Sequence, residues 1–457
     1  MSSSPQFEEA KRITGALRAR GYEAFLAVGC VRDLVLGCEP ADYDVATSAT
    51  PDVVLAMFER TFAVGAHFGV VLVAPQDENA RFVTEVATFR SDAAYSDGRH
   101  PDAVHYTSRA EEDVLRRDFT INGLLLDPLG EIADPRGAVI DHVGGLADLD
   151  ARIVRAIGRP ELRFEEDRLR MLRAVRFAAR LGFELEPATF AAIRALAARI
   201  HAVSRERIRD ELTKMLTEGR GRPVFELLNS TGLLAQVLPE VARMKGVEQP
   251  PQFHPEGDVW THTLAVLGQL EPGCSTTLAW GALLHDVGKP ATFRRAPDRI
   301  RFDGHVEVGM AIAGEICRRM RFSNDEARQI AALIEHHMRF ADAPRMKAST
   351  LKRFFRLPGF EEHLTLHRMD CLAAHGHLEN YGYVRERWRS TPEEDVRPPR
   401  LITGKDLIAA GYEPGAQFRE MLQAMEDAQL EGVIATPDEA LELVRKRFPR
   451  TGRESQS

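Results

Sequence analysis

Three carboxylates near the start of the chain have a spacing suited to metal-dependent chemistry. Asp42 and Asp44 are two residues apart, which on a strand places both side chains on one face. Glu85 lies inside an apolar stretch, where a charged side chain needs a partner. Adjacent carboxylates repel each other unless a cation lies between them, and two divalent cations can bind the attacking and leaving oxygens of an in-line phosphoryl displacement. For the Asp42–Asp44 pair alone, a solvated turn is the alternative.

Two residues that precede these carboxylates are suited to phosphate. Gly29 allows the backbone to approach a phosphate closely, and Arg32 can bind one through its planar guanidinium. With both residues present, phosphoryl transfer is a better interpretation of the segment than a solvated turn.

Two further segments combine arginine with aspartate. Arg117 and Asp118 follow Arg116, an arrangement that also occurs in a salt-bridged helix start. Asp167 and Arg170 are three residues apart, so on one helix they would be neighbours. An intrahelical ion pair is therefore the alternative to a role in ligand binding.

A second candidate site is a set of histidines and aspartates. Ten of the 15 histidines lie between residues 250 and 380. His285 and Asp286 are adjacent in an apolar stretch, where burying them is costly unless they coordinate something. Imidazole and carboxylate suit several divalent metals, and the sequence does not choose among them. A lone histidine would more often have a structural role. Here an ordered set of candidate metal ligands favours a metal site, and it comprises His262, His285, Asp286, His305, His336, His337 and Asp370.

The elements that must position these residues change in kind along the chain. Residues 5–20 have the spacing of an amphipathic helix, and Thr50 followed by Pro51 predicts a helix start. Short strands are indicated at 24–28, 68–74 and 81–89. From about residue 165 helical periodicity dominates. We therefore expect an α+β chain, with a mixed-sheet head that includes helices, followed by an all-α body.

Composition narrows the class of protein. The 457 residues are 44% hydrophobic and 28% charged, which is ordinary for a globular protein. No apolar run approaches the roughly 20 residues that span a bilayer, and no signal-peptide pattern precedes the first helix. The five cysteines form no CxxC pair, which argues against a disulfide framework or a cysteine-rich zinc site. We expect a cytoplasmic protein without a membrane partner.

The net charge of −8 conceals a basic segment. Residues 151–220 contain 16 lysines and arginines against ten aspartates and glutamates. An acidic protein with one basic segment can still bind a phosphate backbone there.

Taken together, the segments resemble the class II (bacterial-type) tRNA nucleotidyltransferases, which comprise the CCA-adding enzymes and related poly(A) polymerases. The resemblance is strong over residues 15–240 and extends more weakly to about 450. The matching stretches occur in the family's order and at its spacing, and they are residues 29–33 with 42–47, 116–122, 134–158, 166–170 and 204–208.

The resemblance implies a role for each matching residue. Asp42 and Asp44 would be the catalytic Mg²⁺ ligands, with Glu85 as the third catalytic carboxylate. The nucleotide-binding residues would be Gly29, Arg32, Asp33, Arg117, Asp118, Asn122, Asp167, Arg170, Arg173 and Arg176.

Within that set, Asp167 and Arg170 would select the base. Cytosine and adenine both present an exocyclic amine beside a ring acceptor, which an aspartate and an arginine can bind. Uracil and guanine present a carbonyl oxygen and an N–H at those places, so the same pair would reject them. A protein can thus admit C and A without a nucleic-acid template.

Two residues depart from the family pattern. The family usually has a second glycine at the position of Cys30, and often an alanine at the position of Gly123. Neither departure removes a charged group.

In the family, a loop in the region 90–114 is needed to switch from C to A addition, and its presence favours full CCA addition over CC-only addition.

The histidine set resembles the HD-domain metal phosphohydrolases. His262, His285, Asp286 and Asp370 match the basic pattern, whereas the extended dinuclear form would add His305, His336 and His337. Some bacterial tRNA nucleotidyltransferases carry such a domain. The resemblance implies a divalent metal of unknown identity, and HD domains can also lose activity and keep their fold.

The sequence thus predicts a template-independent enzyme that adds or repairs the 3′-CCA end of tRNA from CTP and ATP. A-adding, CC-adding or poly(A)-type activity is the alternative, and a metal phosphohydrolase with an RNA-binding head is the rival from another class. We expect a nucleotidyltransferase head (1–150), a helical neck (151–245), an HD domain (246–390) and a C-terminal helical region (391–457). Protein partners are not indicated.

Overall fold

The computed structural model describes residues 4–63, 69–77, 79–91, 105–130 and 134–449. These residues form two compact units. The first extends to Ala242 and includes Glu271–Gly273 and Arg319–Arg321, and the second contains the remainder. Our division into four domains stays a prediction.

The first unit is built on a mixed sheet of short strands. The strands are β1 (Ala24–Ala27), β2 (Asp44–Thr47), β3 (Thr61–Phe62), β4 (Val70–Val73), β5 (Thr84–Thr88), β6 (Arg90–Ser91), β7 (His105–Tyr106), β8 (Leu124–Leu126), β9 (Val139–Asp141), β10 (Ile153–Val154) and β11 (Glu184–Leu185). Seven of them form the sheet, in the order β3-β4-β5-β2-β1-β8-β9. Two short ribbons, β6 with β7 and β10 with β11, lie outside it.

The strands that carry the candidate carboxylates lie at the centre of the sheet. β2 and β5 are parallel, with Val45 opposite Val86, whereas the other paired strands of the sheet are antiparallel. Val45 and Val86 are buried, as is Leu26 on the neighbouring strand β1. The sheet core therefore fixes the backbone from which the acidic side chains extend.

Helices surround this sheet and then replace it along the chain, which confirms the predicted α+β class. The α-helices of the first unit are α1 (Pro5–Ala19), α2 (Gly29–Val35), α3 (Pro51–Met57), α4 (Ala110–Leu115), α5 (Gly145–Ala151), α6 (Pro160–Glu166), α7 (Arg170–Leu181), α8 (Pro187–Leu196), α9 (Arg205–Thr217), α10 (Gly221–Ser230), α11 (Leu233–Val237) and α12 (Pro239–Ala242).

The first helix shows how local sequence sets an element. Ser4 accepts a hydrogen bond from the Phe7 backbone N–H and so caps α1, while Pro5 occupies its first turn. Ile13 and Leu17, four residues apart, are fully buried on its inner face. The predicted helix over 5–20 is confirmed.

The helix predicted at Thr50–Pro51 is also present, with Thr50 at the N-cap of α3. The Thr50 side chain makes no capping hydrogen bond, so the start of α3 depends on Pro51 and on packing instead.

The second unit is helical apart from the short antiparallel pair β12 (Arg294–Arg295) and β13 (Ile300–Arg301). None of the described helices of the chain is long and apolar enough to cross a membrane. The α-helices of this unit are α13 (Val259–Leu267), α14 (Thr276–Leu284), α15 (Lys289–Thr292), α16 (His305–Arg319), α17 (Asn324–His336), α18 (Ala348–Phe355), α19 (Phe360–Ala373), α20 (Glu379–Ser390), α21 (Glu393–Val396), α22 (Gly404–Ala409), α23 (Gln417–Leu430) and α24 (Pro437–Arg447).

Candidate functional site

The three head carboxylates lie at the start of the two central parallel strands. Because Val45 pairs with Val86, Asp44 and Glu85 occupy neighbouring positions on β2 and β5. Asp42 and Glu85 are exposed, whereas Asp44 is partly buried. The register therefore brings Asp44 beside Glu85, while Asp42 lies two residues before the start of β2.

Charge repulsion within this acid set shifts the pKa values of its carboxyl groups. Burial, together with the charges of Glu85 and Asp42, raises the pKa of Asp44 to about 7. Burial and the charge of Asp42 raise the pKa of Glu85. A divalent cation would relieve this repulsion, and carboxylate oxygens are the ligands that Mg²⁺ prefers. The donor set fits such a cation, although the three carboxylates do not form a group with ligand atoms all within 4.8 Å of one another.

The turn before α2 places Arg32 beneath this site. Val28, a β-branched residue, has φ +65°, a conformation that costs strain and that marks the turn as specifically built. The buried Arg32 donates to Asp33 at 2.8 Å and to Asn122 Oδ1 at 2.8 Å. Arg32 therefore joins two of the predicted nucleotide-binding segments to each other.

A second network surrounds Asp118. The carboxylate accepts hydrogen bonds from Asn122 Nδ2 at 3.1 Å and from Arg173 Nε at 2.9 Å. Burial alone would raise the pKa of Asp118, but Arg173 and Asn122 outweigh it and hold the pKa below its usual range. Arg117 pairs with Asp113 at 2.8 Å, at the end of α4.

Asp167 and Arg170 are not on one helix, so the intrahelical ion pair is wrong. Asp167 follows α6 and accepts from Arg207 Nη2 at 2.8 Å. Arg170 begins α7 and donates to Glu166 at 2.7 Å and to the Arg116 carbonyl at 3.0 Å. Both side chains are held by partners that the i, i+3 spacing did not reveal.

Arg176 is buried, as are Arg32, Asn122 and Asp118 among the predicted nucleotide ligands. Its guanidinium is buried and donates to Glu211 at 2.5 Å and to Glu218 at 3.2 Å. Arg176 thus forms an internal ion pair between α7 and α9, and its partner Glu211 lies outside the predicted nucleotide-binding set.

The loop expected to switch between C and A addition lies largely outside the described residues, which omit 92–104.

Gly123, the second departure from the family pattern, is closely packed. A Cβ there would lie 2.7 Å from the Val143 side chain, so an alanine would require Val143 to move.

In the second unit, five elements bring the histidine and aspartate set together. His262 Nε2 lies 3.1 Å from Asp370 Oδ1 and 3.2 Å from His285 Nε2. His305 Nε2 and His337 Nε2 each lie 3.9 Å from Asp286 Oδ1.

The set divides into two groups whose ligand atoms all lie within 4.8 Å, one of His262, His285 and Asp370, the other of Asp286, His305 and His337. Imidazole and carboxylate donors at this spacing fit divalent transition metals.

Close helix packing holds this set in place. A Cβ on Gly288 would lie 2.1 Å from the His305 carbonyl oxygen, so only glycine allows the turn after Asp286 to approach the start of α16 this closely. This approach brings His305 to Asp286.

Internal cations neutralise the carboxylates of the set. Burial would raise the pKa of Asp286, but Lys289, at 2.7 Å, and His285 hold it well below its usual range. Burial would lower the pKa of His262, but hydrogen bonds with Asp370 and Glu256 raise it to about 9. Burial lowers the pKa of His337 to about 4.

One predicted ligand is not brought to the set. His336 lies against Phe354 and His363, with its ring centre 5.8 Å from that of His363. Conversely, the sequence interpretation did not include Glu256 and Lys289. The i, i+3 spacing of Lys289 from Asp286 could have predicted their contact, whereas no sequence pattern indicates that Glu256 contacts the set.

A cavity of about 500 Å³ opens beside the set. Asp286, Asp370, His305 and His337 form part of its wall. The other residues that shape it include cationic and apolar side chains, namely Lys289, Arg299, Arg301, Phe253, Phe302 and Met338.

Three family models match the chain. The poly(A) polymerase head domain matches residues 24–155, the probable RNA- and SrmB-binding site of polymerase A matches 182–245, and the HD domain matches 259–374.

Similar proteins cover nearly the whole chain. An A-adding tRNA nucleotidyltransferase of Deinococcus radiodurans is 33% identical over 93% of this chain and 95% of its own. A CCA-adding enzyme of Levilactobacillus brevis is 31% identical over 95% of this chain and 96% of its own. The crystal structure of the Bacillus stearothermophilus CCA-adding enzyme in complex with CTP has a TM-score of 0.71 at 28% identity, covering 97% of this chain and 99% of that one. The chain belongs to the family of tRNA nucleotidyltransferases that includes the CCA-adding enzymes, and it carries an HD domain.

Proposed function

We propose that this chain adds or repairs the 3′-terminal CCA of tRNA from CTP and ATP, without a nucleic-acid template. The observation that carries the proposal is the acid set of Asp42, Asp44 and Glu85, in which the pKa of Asp44 is raised to about 7. Bound Mg²⁺ would supply activation of the RNA 3′-hydroxyl and neutralisation of the triphosphate. The protein would hold the reacting groups in line, and we place the reaction in the cytoplasm.

The Asp118 network supports binding of the nucleotide sugar. Because Asn122 and Arg173 already fix Asp118, its carboxylate would present a rigid surface to a ribose. Arg32 and Asp33 would organise the phosphate end from the neighbouring segment.

Base selection would belong to Asp167 and Arg170. The bond from Arg207 leaves Asp167 with further lone pairs to accept from an exocyclic amine. Arg170 has five N–H donors, of which its bonds to Glu166 and Arg116 use only part. Both residues are thus oriented and retain hydrogen-bonding capacity for C or A.

The basic segment 151–220 would support base selection and supply part of the contact with RNA. Recognition there would involve mainly the phosphate backbone and shape of the acceptor arm. Affinity should therefore fall steeply as the salt concentration rises.

The decisive experiment uses three tRNA transcripts that end before CCA, after C and after CC. Each is incubated with Mg²⁺ and with CTP, ATP or both, and the products are sized at single-nucleotide resolution. Addition of C, C and A in order, followed by a stop, is the expected result. UTP and GTP serve as controls that the base selection should exclude.

The same experiment separates the related activities. Growth only on the CC-ended transcript identifies an A-adding enzyme, and a stop after CC identifies a CC-adding enzyme. Continued addition of A identifies a poly(A)-type polymerase. No addition to any transcript would contradict the proposal.

A second candidate activity is metal-dependent hydrolysis of a phosphoester in the second unit. The cavity beside the histidine set favours it, because Arg299 and Arg301 line the space next to the candidate metal ligands. Hydrolysis of bis(p-nitrophenyl) phosphate in the presence of different divalent cations tests it. His285→Ala should abolish this activity, while Asp42→Ala/Asp44→Ala should not change it.

A further inference from the structure

A segment that precedes the HD-domain match contributes polar groups to the histidine set. The match begins at residue 259, whereas residues 249–257 form the connection that leads into α13. Gln249 accepts a hydrogen bond from Lys289 Nζ at 2.7 Å, and Lys289 in turn pairs with Asp286. Glu256 Oε1 lies 2.7 Å from His262 Nδ1 and 2.9 Å from His254 Nδ1.

The histidines of the set differ in what holds their Nδ1 atoms. Backbone carbonyls of the preceding turn lie 2.9 Å from Nδ1 of His285, 2.9 Å from that of His305 and 2.7 Å from that of His337. Such a bond keeps the proton on Nδ1 and leaves Nε2 free to bind a cation. The Nδ1 atom of His262 instead faces the Glu256 side chain.

We propose that Glu256 is a positioning residue that orients His262 toward the cation of the HD set. Glu256 accepts the Nδ1–H proton of His262, and this bond turns Nε2 toward Asp370 and His285. A negative carboxylate in this position also makes the imidazole a stronger donor than a carbonyl does.

The environment of Glu256 supports this role. The same oxygen also faces His254, whose ring packs edge-on against that of His262, with 4.9 Å between centres. Glu256 is thus fixed from two sides before any cation binds. Among the hydrogen bonds of the described residues, Glu256 is the group that holds Nδ1 of His262.

The test measures cation binding to the full-length chain carrying Asp42→Ala/Asp44→Ala, so that the head does not obscure the second unit. Isothermal titration with Mn²⁺ and Co²⁺ gives the affinity, and the visible absorption of bound Co²⁺ reports the ligand geometry. Glu256→Ala should weaken binding about 10–100-fold and shift the Co²⁺ band. Glu256→Gln keeps an acceptor without the charge, so it should weaken binding less and preserve the band.

Glu248→Ala is the matched control, because Glu248 lies beside the same segment and pairs with Arg295 at the surface. Its affinity and band should equal those of the parent. Unchanged affinity and an unchanged band in Glu256→Ala would overturn the inference. If that variant fails to fold, Glu256→Gln decides, and parent-like affinity there overturns it.

The inference rests on the HD set binding a divalent cation, and the two can fail separately. A parent chain that binds neither Mn²⁺ nor Co²⁺ overturns the metal site and the inference together. Binding that is insensitive to Glu256 leaves the metal site intact and overturns the inference alone.

Discussion

In the first unit, burial and the neighbouring charges of Glu85 and Asp42 raise the pKa of Asp44 to about 7. In the second unit, burial acts on Asp286 in the same direction, yet Lys289 and His285 hold its pKa well below the usual range. Burial acts to raise the pKa of both aspartates, and the cations near each carboxylate decide whether its final pKa is raised or lowered.

The distribution of cations explains this contrast. Near the acid set, Arg117 is the cation that lowers the pKa of Asp44, but its guanidinium is paired with Asp113. In the HD set, the Lys289 ammonium lies 2.7 Å from Asp286 and pairs directly with that carboxylate.

The difference predicts how each site responds to a divalent cation. Without a cation, the carboxylates of the acid set repel one another, so cation binding would relieve this repulsion. In both sites the cation must displace a proton, from Asp44 with a pKa of about 7 and from His262 with a pKa of about 9. In the HD set it must also compete with Lys289 for Asp286. The two sites should therefore differ in pH dependence even with the same metal.

Removal of the acid set is expected to have the largest effect on activity. Asp42→Asn/Asp44→Asn should reduce nucleotide addition at least about 1,000-fold, because the reacting groups lose their cation ligands. The measurement is single-turnover extension of the CC-ended transcript. Cation binding by the second unit should be unaffected.

Asp52→Asn is the control for that experiment, since Asp52 is exposed on α3 in the same unit. It should retain the parental rate. Substantial addition by the double variant would show that the acid set does not carry the chemistry.

Some arginines of the first unit form buried ion pairs that stabilise the fold, and Arg176 is the clearest example. Arg176→Ala should destabilise the protein by about 3–5 kcal/mol, because Glu211 remains buried without its partner. Urea unfolding followed by circular dichroism measures this loss. Arg180→Ala, one turn further along α7 and more exposed, should change stability little.

The same variants separate two interpretations of Arg176. A scaffold role leaves KM for CTP unchanged in protein that remains folded. A raised KM with parental stability would instead support the nucleotide-binding role that the family resemblance implies.

The sequence could single out the carboxylates of the acid set because Asp42 and Asp44 are two residues apart and Glu85 lies in an apolar stretch. In the structure Asp44 begins β2, Asp42 precedes that strand, and Glu85 lies on β5. The parallel pairing of β2 with β5, which brings Asp44 beside Glu85, is a tertiary contact that the sequence did not predict.

Tertiary contacts explain what sequence could not predict. His336 and His337 are adjacent, so on a helical turn their side chains point about 100° apart and only one could face the set. Nothing in the chain before folding shows that Glu256 meets His262 or that Arg176 meets Glu211, because these contacts depend on how distinct segments pack.

The third prediction tests the sign of the charge effect in the metal-free protein. In EDTA at pH 8, Asp44→Asn should stabilise by about 1 kcal/mol, because it removes a repelled charge. Asp286→Asn should destabilise by about 1.5–3 kcal/mol, because Lys289 loses its ionised partner. Thermal unfolding measures both.

The pH dependence gives the control for this pair. The folded pKa of Asp44 is raised from 3.8 to about 7, so the native state binds an extra proton between those values and stability falls as pH rises through them. The gain from Asp44→Asn should therefore vanish near pH 4. The folded pKa of Asp286 is lowered, so its contribution is present above the ordinary pKa and is lost in acid. Effects of the same sign at pH 8 would refute the comparison.

The smallest effect is expected at Cys30, where the resemblance leads us to expect a second glycine. Cys30 is buried in the first turn of α2, and its thiol donates to the Ala27 carbonyl at 3.1 Å. Burial and the charge of Asp44 raise the pKa of the thiol to about 12, so Cys30 stays neutral and adds no charge to the carboxylates. Cys30→Gly should therefore cost about 1 kcal/mol in stability through lost helix propensity and packing, and leave the rate of nucleotide addition close to the parental one. A large loss of rate with little loss of stability would mean that the shape of this turn, and not only the charge balance at Asp44, limits the reaction.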